Sequence, residues 1–483
     1  MARVTGLALL AQLLLFGCAM ETEGEVTAAE APLSERAQEI LRCQANPVLA
    51  TLSHADRARF RRGCELFFTE TFDGNGRTCG SCHLNELGNH DASDNNLDFG
   101  PEDAQRIFDE DPAHALFRPM DSDDGAGEDY TMLLAHGLVR IPFVLPPNVT
   151  VDEVDSPFVR VDPVTGQTTV TVLRSTPSTE NMALEESLMW DGRNGADGPQ
   201  QAIDAVTTHF QAGRLPTAAE AADLSFFQEQ IFTNRSLHRF AKGGAAPTLP
   251  EAPRGSRWDS VRRGREFFVS HEVVPGAPVR GGHCATCHSG PMLDTTNEFN
   301  PVAPAGHVLS NNFVSETNTA NPRFPPGSRV GIQLPELTYR ITATHDVVME
   351  PGIPLFPIPP GAPIFPAGST FTLRSSDPGR ILANGEPCEL VAACLINSDP
   401  VSGQLGTTSV FRISSLWGSA DTAPYFHDNS AATLEEMMEV YRTVFLVTAF
   451  GTGNPAWMLS PQEEADILAY MRFAFTRDRD LLP

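Results

Sequence analysis

Two five-residue stretches, Cys79-Gly80-Ser81-Cys82-His83 and Cys284-Ala285-Thr286-Cys287-His288, repeat one pattern in this 483-residue chain. Thiols at this spacing form thioethers with the vinyl groups of a haem, and the adjacent His reaches the iron. With nine Cys and 13 His in the chain, chance supplies one such match about 0.004 times, and two copies far less often. A zinc site would need a second close pair of Cys or His ligands beside either motif, and none is present. A thioredoxin-type CxxC follows a strand, whereas both copies are predicted to follow a helix and a Gly-rich loop. Two covalently bound haem c groups are therefore expected, attached at Cys79, Cys82, Cys284 and Cys287, with His83 and His288 as iron ligands. The fold must close around two large apolar discs.

Length alone suggests two or three domains, and 41% hydrophobic with 20% charged residues describes a chain with a real core. The formal charge of −27 argues against nucleic acid or anionic lipid and for a basic protein partner. Lys242 is the single lysine, which leaves P-loop and Schiff-base chemistry almost nowhere to sit.

Arg3 followed by the apolar run Leu7 to Phe16 reads as a secretory signal, too short to span a bilayer. The run ends Leu15-Phe16-Gly17-Cys18, which resembles a lipoprotein cleavage box. Residues 1–18 are thus expected to be a leader and Cys18 a lipid anchor, with ordinary signal cleavage as the alternative. The protein would be periplasmic or anchored at the outer membrane. Residues 19–45, acidic at first, read as a tether leading to the first packed helix. Outside the cytoplasm the remaining cysteines are expected to pair, and Cys43 with Cys64 and Cys388 with Cys394 are the local choices among three connectivities.

The chain divides around the motifs. Ser53 to Phe68 has helical spacing, with Phe60, Cys64 and Phe67 on one face, and the turn-rich Phe72-Asp73-Gly74-Asn75-Gly76 leads to the first motif. Trp258 to Phe268 and a loop through Gly276 and Gly281-Gly282 precede the second in the same order. The expected fold is mainly α: two cytochrome c-like haem domains, 46–255 and 256–483, with long loop insertions and a few short strands. One insertion covers about 94–172, where Leu138–Val144 and Phe158–Leu173 alternate as strands and Pro163 to Gly166 makes a hairpin turn. A Pro-rich insertion covers 346–366. The acidic cluster Asp121, Asp123, Asp124, Glu128 and Asp129 reads as a solvated face in preference to a calcium loop, because Gly125 is misplaced for an EF-hand.

The chain resembles the bacterial di-haem cytochrome c peroxidase and MauG superfamily, to which the di-haem rubber oxygenases are related. Arg174-Ser175-Thr176-Pro177 with Met189-Trp190-Asp191-Gly192-Arg193, then Gln200-Gln201-Ala202, and Phe411-Arg412 through Thr422-Ala423-Pro424-Tyr425-Phe426-His427 carry the likeness. The resemblance implies a catalytic haem on His83, an electron-transfer haem on His288, Trp190 as the conductor between them and Gln201 as a distal amide. It implies a calcium between the domains held by Thr422 and Pro424, with Ser175 where the family has Asn. The family's acidic distal residue aligns at Gln211, with His209 as the proton-transferring alternative two residues away. The family's distal His aligns at Phe99, which cannot ligate, leaving the His83 iron open; His90 could substitute only by folding back. Fourteen residues after His427 stands Tyr441, the MauG-type axial ligand, on a helix predicted over Thr433–Phe445 and opened by a Thr433/Glu436 capping box; Met437 is the alternative. The implied function is an exported di-haem oxidoreductase activating peroxide or dioxygen, served by a small redox protein. Its rivals are a non-catalytic di-haem electron carrier and an enzyme that matures another protein's cofactor.

Overall fold

The computed structural model describes residues 35–83, 99–269, 283–300, 306, 309–310, 332–348, 363–385, 410–452 and 455–477. The chain opens with α1 (Glu35–Ala45) and α2 (His54–Thr69). Ser53 caps α2 by accepting from the Asp56 N–H, and Phe60, Cys64 and Phe67 are buried along one face. A Cys43–Cys64 disulfide staples α1 to that face. The expected tether over 19–45 is therefore corrected at its end: Glu35–Ala45 is a docked helix, because burying Cys43 completely draws it onto α2. The Cys388–Cys394 pairing lies outside the described residues, as do Cys18, His90 and the Gly-rich loop before Cys284.

After the first motif come α3 (Pro101–Glu110) and α4 (Thr131–His136), then β1 (Val139–Val144), β2 (Val149–Val151), β3 (Val159–Val161) and β4 (Thr168–Arg174). β4 pairs antiparallel with β1 on one side and β3 on the other. The β3–β4 hairpin turns where the sequence predicts, with the Asp162 carboxylate accepting from Val164 and Thr165 and its carbonyl from Gly166. Helices α5 (Gly198–His209), α6 (Ala218–Gln228) and α7 (Arg235–Ala241) complete the first half.

The second half begins with α8 (Asp259–Val269) and continues through β5 (Leu309–Ser310), β6 (Leu337–Thr342), β7 (Val347–Val348), β8 (Pro363–Phe365), β9 (Thr370–Ser375), α9 (Ile381–Asn384) and β10 (Phe411–Arg412). It ends in α10 (Leu434–Thr452) and α11 (Pro461–Ala474). α10 runs seven residues past the predicted Phe445. At its start the Thr433 hydroxyl accepts from the Glu436 N–H, while the Glu436 carboxylate reaches one residue further back, to the Ala432 N–H.

The helix before each motif crosses a partner helix at a glycine. On α2, a Cβ at Gly63 would lie 2.8 Å from the Phe227 Cβ on α6 and closer still to the Asp223 carbonyl. On α8, a Cβ at Gly264 would lie 2.9 Å from the Tyr470 Cβ on α11 and closer still to the Asp466 carbonyl. Only glycine permits backbones this near. The preceding arginine clasps the same partner: Arg62 Nε to Asp223 Oδ2 at 2.7 Å, Arg263 Nε to Asp466 Oδ2 at 2.6 Å.

The halves are sewn together by the first half's insertion and by the strands that flank 346–366 in the second. β2 of the first pairs with β6 of the second, and β6 with β9, giving a three-stranded sheet that draws on both. Its inward residues Val149, Val151, Tyr339, Ile341 and Leu373 join Val170 and Val172 of the first sheet in one core. The described chain is thus a mixture of helices and small sheets, with ten strands in four sheets, richer in strand than the few short ones expected. Alternating β-branched residues pay off only when a second face covers them, and here the sheet of β1, β3 and β4 and the sheet of β2, β6 and β9 share one core. No described helix is long and apolar enough to cross a membrane.

Candidate functional site

Each motif folds into one tight turn, Cys79–Ser81 and Cys284–Thr286, closed by a bond from the His N–H back to the first Cys carbonyl: His83 to Cys79 at 3.0 Å and His288 to Cys284 at 2.8 Å. The turn places Cys79, Cys82 and His83 in the wall of one cavity and Cys284 and His288 in the wall of another. None of the four cysteines is in a disulfide. Burial pushes the Cys79 and Cys284 thiols up to about 12 and Cys82 up to about 11. No cluster of three or more His, Cys, Asp or Glu that could take a bare ion occurs among the described residues. Two thiols and an imidazole in one tight turn, bordering a cavity lined by apolar and aromatic side chains, fit a haem attached through thioethers.

In the second cavity the His288 Nδ1 lies 3.0 Å from the Leu293 carbonyl, and its Nε2 faces the Tyr441 hydroxyl at 3.4 Å. A ring N–H donated to a carbonyl fixes the tautomer that keeps a lone pair on Nε2. Burial lowers the His288 pKa to about 4, which keeps the ring neutral, as a metal ligand must be. Burial likewise raises Tyr441, with the nearby Cys287 and Cys284 sulfurs adding to it. Met437 lines the same cavity, but Tyr441 is the side chain that meets the imidazole.

In the first cavity, Gln201, His209 and Trp190 stand in the wall with His83, and Gln201 Nε2 reaches the Met189 sulfur at 3.5 Å. Burial drives His209 down to about 3, and the Arg77 and Arg193 guanidiniums and His83 push the same way. Gln211 is not in this wall. α5 ends at His209, Phe210 turns inward, and a left-handed residue at φ +48° sends Gln211 to the surface, where its amide meets Asn75 at 3.5 Å. The assignment of Gln211 to the distal side is therefore corrected, and His209 is the residue the helix delivers. Phe99, expected over His83, lies instead in the wall of the His288 cavity.

The two cavities share a wall. Ser175 to Ser178, Glu180, Glu185, Trp190 and Arg412 face both. Trp190 is fixed at three points: its indole N–H donates to the Ser175 carbonyl at 2.9 Å, its own carbonyl accepts from the Arg412 N–H at 2.8 Å, and its neighbour Asp191 is clamped by Arg174 at 2.6 Å. Arg174, 2% exposed, turns its other edge to Asp377 in two bonds of 2.6 and 2.9 Å. Against the desolvation that would raise it, Arg174 and Arg193 hold the Asp191 carboxyl below its usual range. Breaking one arm of such a buried set leaves an uncompensated charge, at a cost of roughly 3–5 kcal/mol.

Ser175, Thr422 and Pro424 all border the His288 cavity, but the Ser175 hydroxyl is engaged with the Phe426 carbonyl at 3.2 Å. The acidic cluster is a solvated face only in part: Asp124, Glu128 and Asp129 are exposed, while Asp123 is half-buried and Asp121 is inside. Asp121 is buried in an ion pair with Arg77, the Asp123 carboxylate accepts from Met132, and Asp124 organises its own turn through Ala126 and Gly127. Arg77 also donates to the Ala115, Leu116 and His209 carbonyls, tying the first motif to α5. Asp377, Glu185 and Arg77 are structural partners of the site that the sequence analysis does not single out. Asp377 lies 203 residues from Arg174, and nothing local marks the pair.

No family model and no curated protein matches the chain. Among solved structures it is similar to a MauG-like protein associated with microbial copper homeostasis, at 18% identity and a TM-score of 0.38, over 89% of this chain and 91% of that one. A likeness this distant transfers no residue role.

Proposed function

We propose that this chain is an exported di-haem c-type oxidoreductase that activates peroxide or dioxygen at the His83 site and exchanges electrons with the His288 site through Trp190. The observation that carries the reading is the shared wall: one tryptophan, held at three points, faces both cavities, and each cavity has a Cys-x-x-Cys-His motif in its lining. The haems, when bound, supply one-electron and oxygen chemistry that side chains lack.

The protein's own groups divide by side. With the haems bound, His83 and His288 would each offer a ring nitrogen to the iron, Tyr441 would offer a hard oxygen donor in the His288 cavity, and the cysteines would anchor. Gln201 places an amide in the His83 cavity able to orient a small oxygen species. A phenol facing one imidazole and an amide with a neutral imidazole near the other favour one closed site and one accessible site, which is the asymmetry a catalyst needs and a plain carrier does not. A small basic redox protein fits the overall charge of −27, and Cys18 is the proposed lipid anchor.

The test is the mass and spectrum of periplasm-matured protein. Two added haem masses that survive acid extraction, with one high-spin ferric site whose Soret band shifts on adding peroxide, are expected. Two haems that are both low-spin and blind to peroxide and cyanide would make it an electron carrier. Fewer than two covalent haems would end the reading.

A further inference from the structure

His427, 4% exposed, lines the His288 cavity. Its ring lies almost face to face on Phe411, with centroids 4.1 Å apart and 25° between the planes, yet its Nε2 is buried without a hydrogen-bond partner among the described residues. Leaving a ring nitrogen unmet away from water is costly. Polar groups around it in the same wall are accounted for: the Glu180 carboxylate by Arg477 at 2.6 Å, the Ser415 hydroxyl by the Met292 carbonyl at 2.7 Å, and the Tyr425 hydroxyl by the Ser419 carbonyl at 2.9 Å. Two other donors of the wall share the condition of His427. The Ser419 hydroxyl and Arg412 Nε are also buried without a partner.

The chain around His427 is fixed by its backbone and not by its ring. The His427 carbonyl accepts from the Ser175 N–H at 2.7 Å, the Phe426 carbonyl accepts from the Ser175 hydroxyl at 3.2 Å, and the Tyr425 N–H donates to the Ala431 carbonyl at 2.7 Å. Phe426 and Asn429 hold left-handed conformations at φ +74° and +53°, a cost that persists only where the surroundings impose it. The segment thus sets the imidazole in place against the cavity and leaves its nitrogen unused.

We propose that His427 donates its Nε2–H to a propionate of the haem in the His288 cavity, with the Ser419 hydroxyl and Arg412 Nε as further donors on the same wall. The inference rests on the di-haem reading and adds to it which side of the cavity receives the anionic edge. A haem is an apolar disc with carboxylates on one edge. The cavity is lined mostly by apolar and aromatic side chains, and these three unmet donors all come from one stretch, Arg412 to His427. Burying a carboxylate without donors is costly, and a hydrogen bond to its charged form is the strong kind. The same stretch holds the shared tryptophan: the Arg412 N–H donates to the Trp190 carbonyl at 2.8 Å, and Ser175, bound to the His427 carbonyl, accepts from the Trp190 indole at 2.9 Å. One piece of backbone would therefore position both the haem edge and the indole.

Resonance Raman and EPR spectra of the holoprotein, with its haems poised at a fixed potential, test the assignment. His427→Phe keeps a ring for the stack on Phe411 and removes the donor; His427→Gln restores an N–H. In His427→Phe one haem's propionate-bending mode should shift, and the ferrous fraction of the His288 haem should fall about threefold, since a less screened carboxylate charge favours ferric iron. Both effects should be reversed in His427→Gln, with both haem masses and the axial EPR signature unchanged throughout. Should His427→Phe not fold, His427→Met, adaptable in packing and without a donor, carries the same expectation. An unmoved mode in the donor-free variant overturns the proposal, as does a shift that His427→Gln fails to reverse, which would make the ring a packing element. A changed axial signature would make His427 an iron ligand and overturn it too. Any of these in protein carrying two covalent haems breaks the His427 assignment alone. A parent protein with fewer than two covalent haems breaks the di-haem reading and the assignment with it.

Discussion

The two halves share a scaffold and differ in what the scaffold holds. Arg61-Arg62-Gly63 on α2 and Arg262-Arg263-Gly264 on α8 make the same helix crossing, with the same arginine on an aspartate of the partner helix. Past that crossing the likeness stops. The His288 imidazole meets a phenol across its cavity, whereas the His83 cavity gathers Arg77, Arg193, Gln201 and a neutral His209. A repeated frame with unequal contents teaches that the frame fixes where each motif stands, and the later helices, α5 and α10, decide what faces it.

The strongest way to break the comparison is to remove one attachment. Cys284→Ala with Cys287→Ala should leave protein with a single covalent haem on the first motif, and the mirror pair Cys79→Ala with Cys82→Ala should leave one on the second. Loss of both haems from either double variant, read by mass spectrometry, would show that the halves do not mature independently.

The frame itself is tested by Gly63→Val and Gly264→Val. Each forces side-chain atoms into a partner backbone that cannot give way, and a loss of about 3 kcal/mol or more in denaturant midpoint is expected at both. If one position tolerates valine, the crossings are not equivalent.

Tyr441→Phe sharpens the asymmetry. It should alter the EPR and near-infrared signature of the His288 site and leave the His83 site unchanged. An unaltered spectrum would give the sixth position to Met437. Asp377→Asn is smaller again in its spectroscopic effect: with Arg174 half released, Trp190 loses one support, and electron exchange between the sites should slow in stopped-flow while both haems stay attached.

The smallest effect concerns acid. Desolvation raises Asp466, but hydrogen bonds from Arg263, Ser260 and Gln462 outweigh it, so the folded carboxyl lies below its usual value. A depressed folded pKa stabilises the protein above the unfolded pKa of about 3.9 and loses that stability as pH falls through the folded value. Asp466→Asn should flatten the acid limb of a stability–pH curve. With Arg263 46% exposed, the change should stay within about 1 kcal/mol. An acid limb as steep in the variant as in the parent would remove Asp466 from it.

Several features were legible because they are local. The Phe60–Cys64–Phe67 face and the β3–β4 turn join residues within two helical turns or a short loop, so spacing alone reveals them, whereas Cys43–Cys64, 21 residues apart, is one of three connectivities in the sequence and is decided by the docking of α1 on α2. Counting from His427 leads to Tyr441, which the structure sets against the His288 imidazole, although the chain up to Leu434 is not helical and only the rest of the count runs along α10. The same counting failed at Gln211, because α5 stops two residues short and the chain reverses. It failed as well at Phe99, which stands in the wall of the His288 cavity.

The sequence by itself determined that two Cys-x-x-Cys-His turns exist, that each follows an amphipathic helix, and that strands lie between them, because these are properties of short-range geometry and chance. Only the tertiary structure decided that β2 of the first half pairs with β6 of the second, that Arg174 meets Asp191 and Asp377, and that Glu185 meets Arg412. Burial is the physical reason. A carboxylate or a guanidinium has the same letter in the sequence whether water or a second charge surrounds it, and its chemistry is set by which distant part of the chain takes the water away.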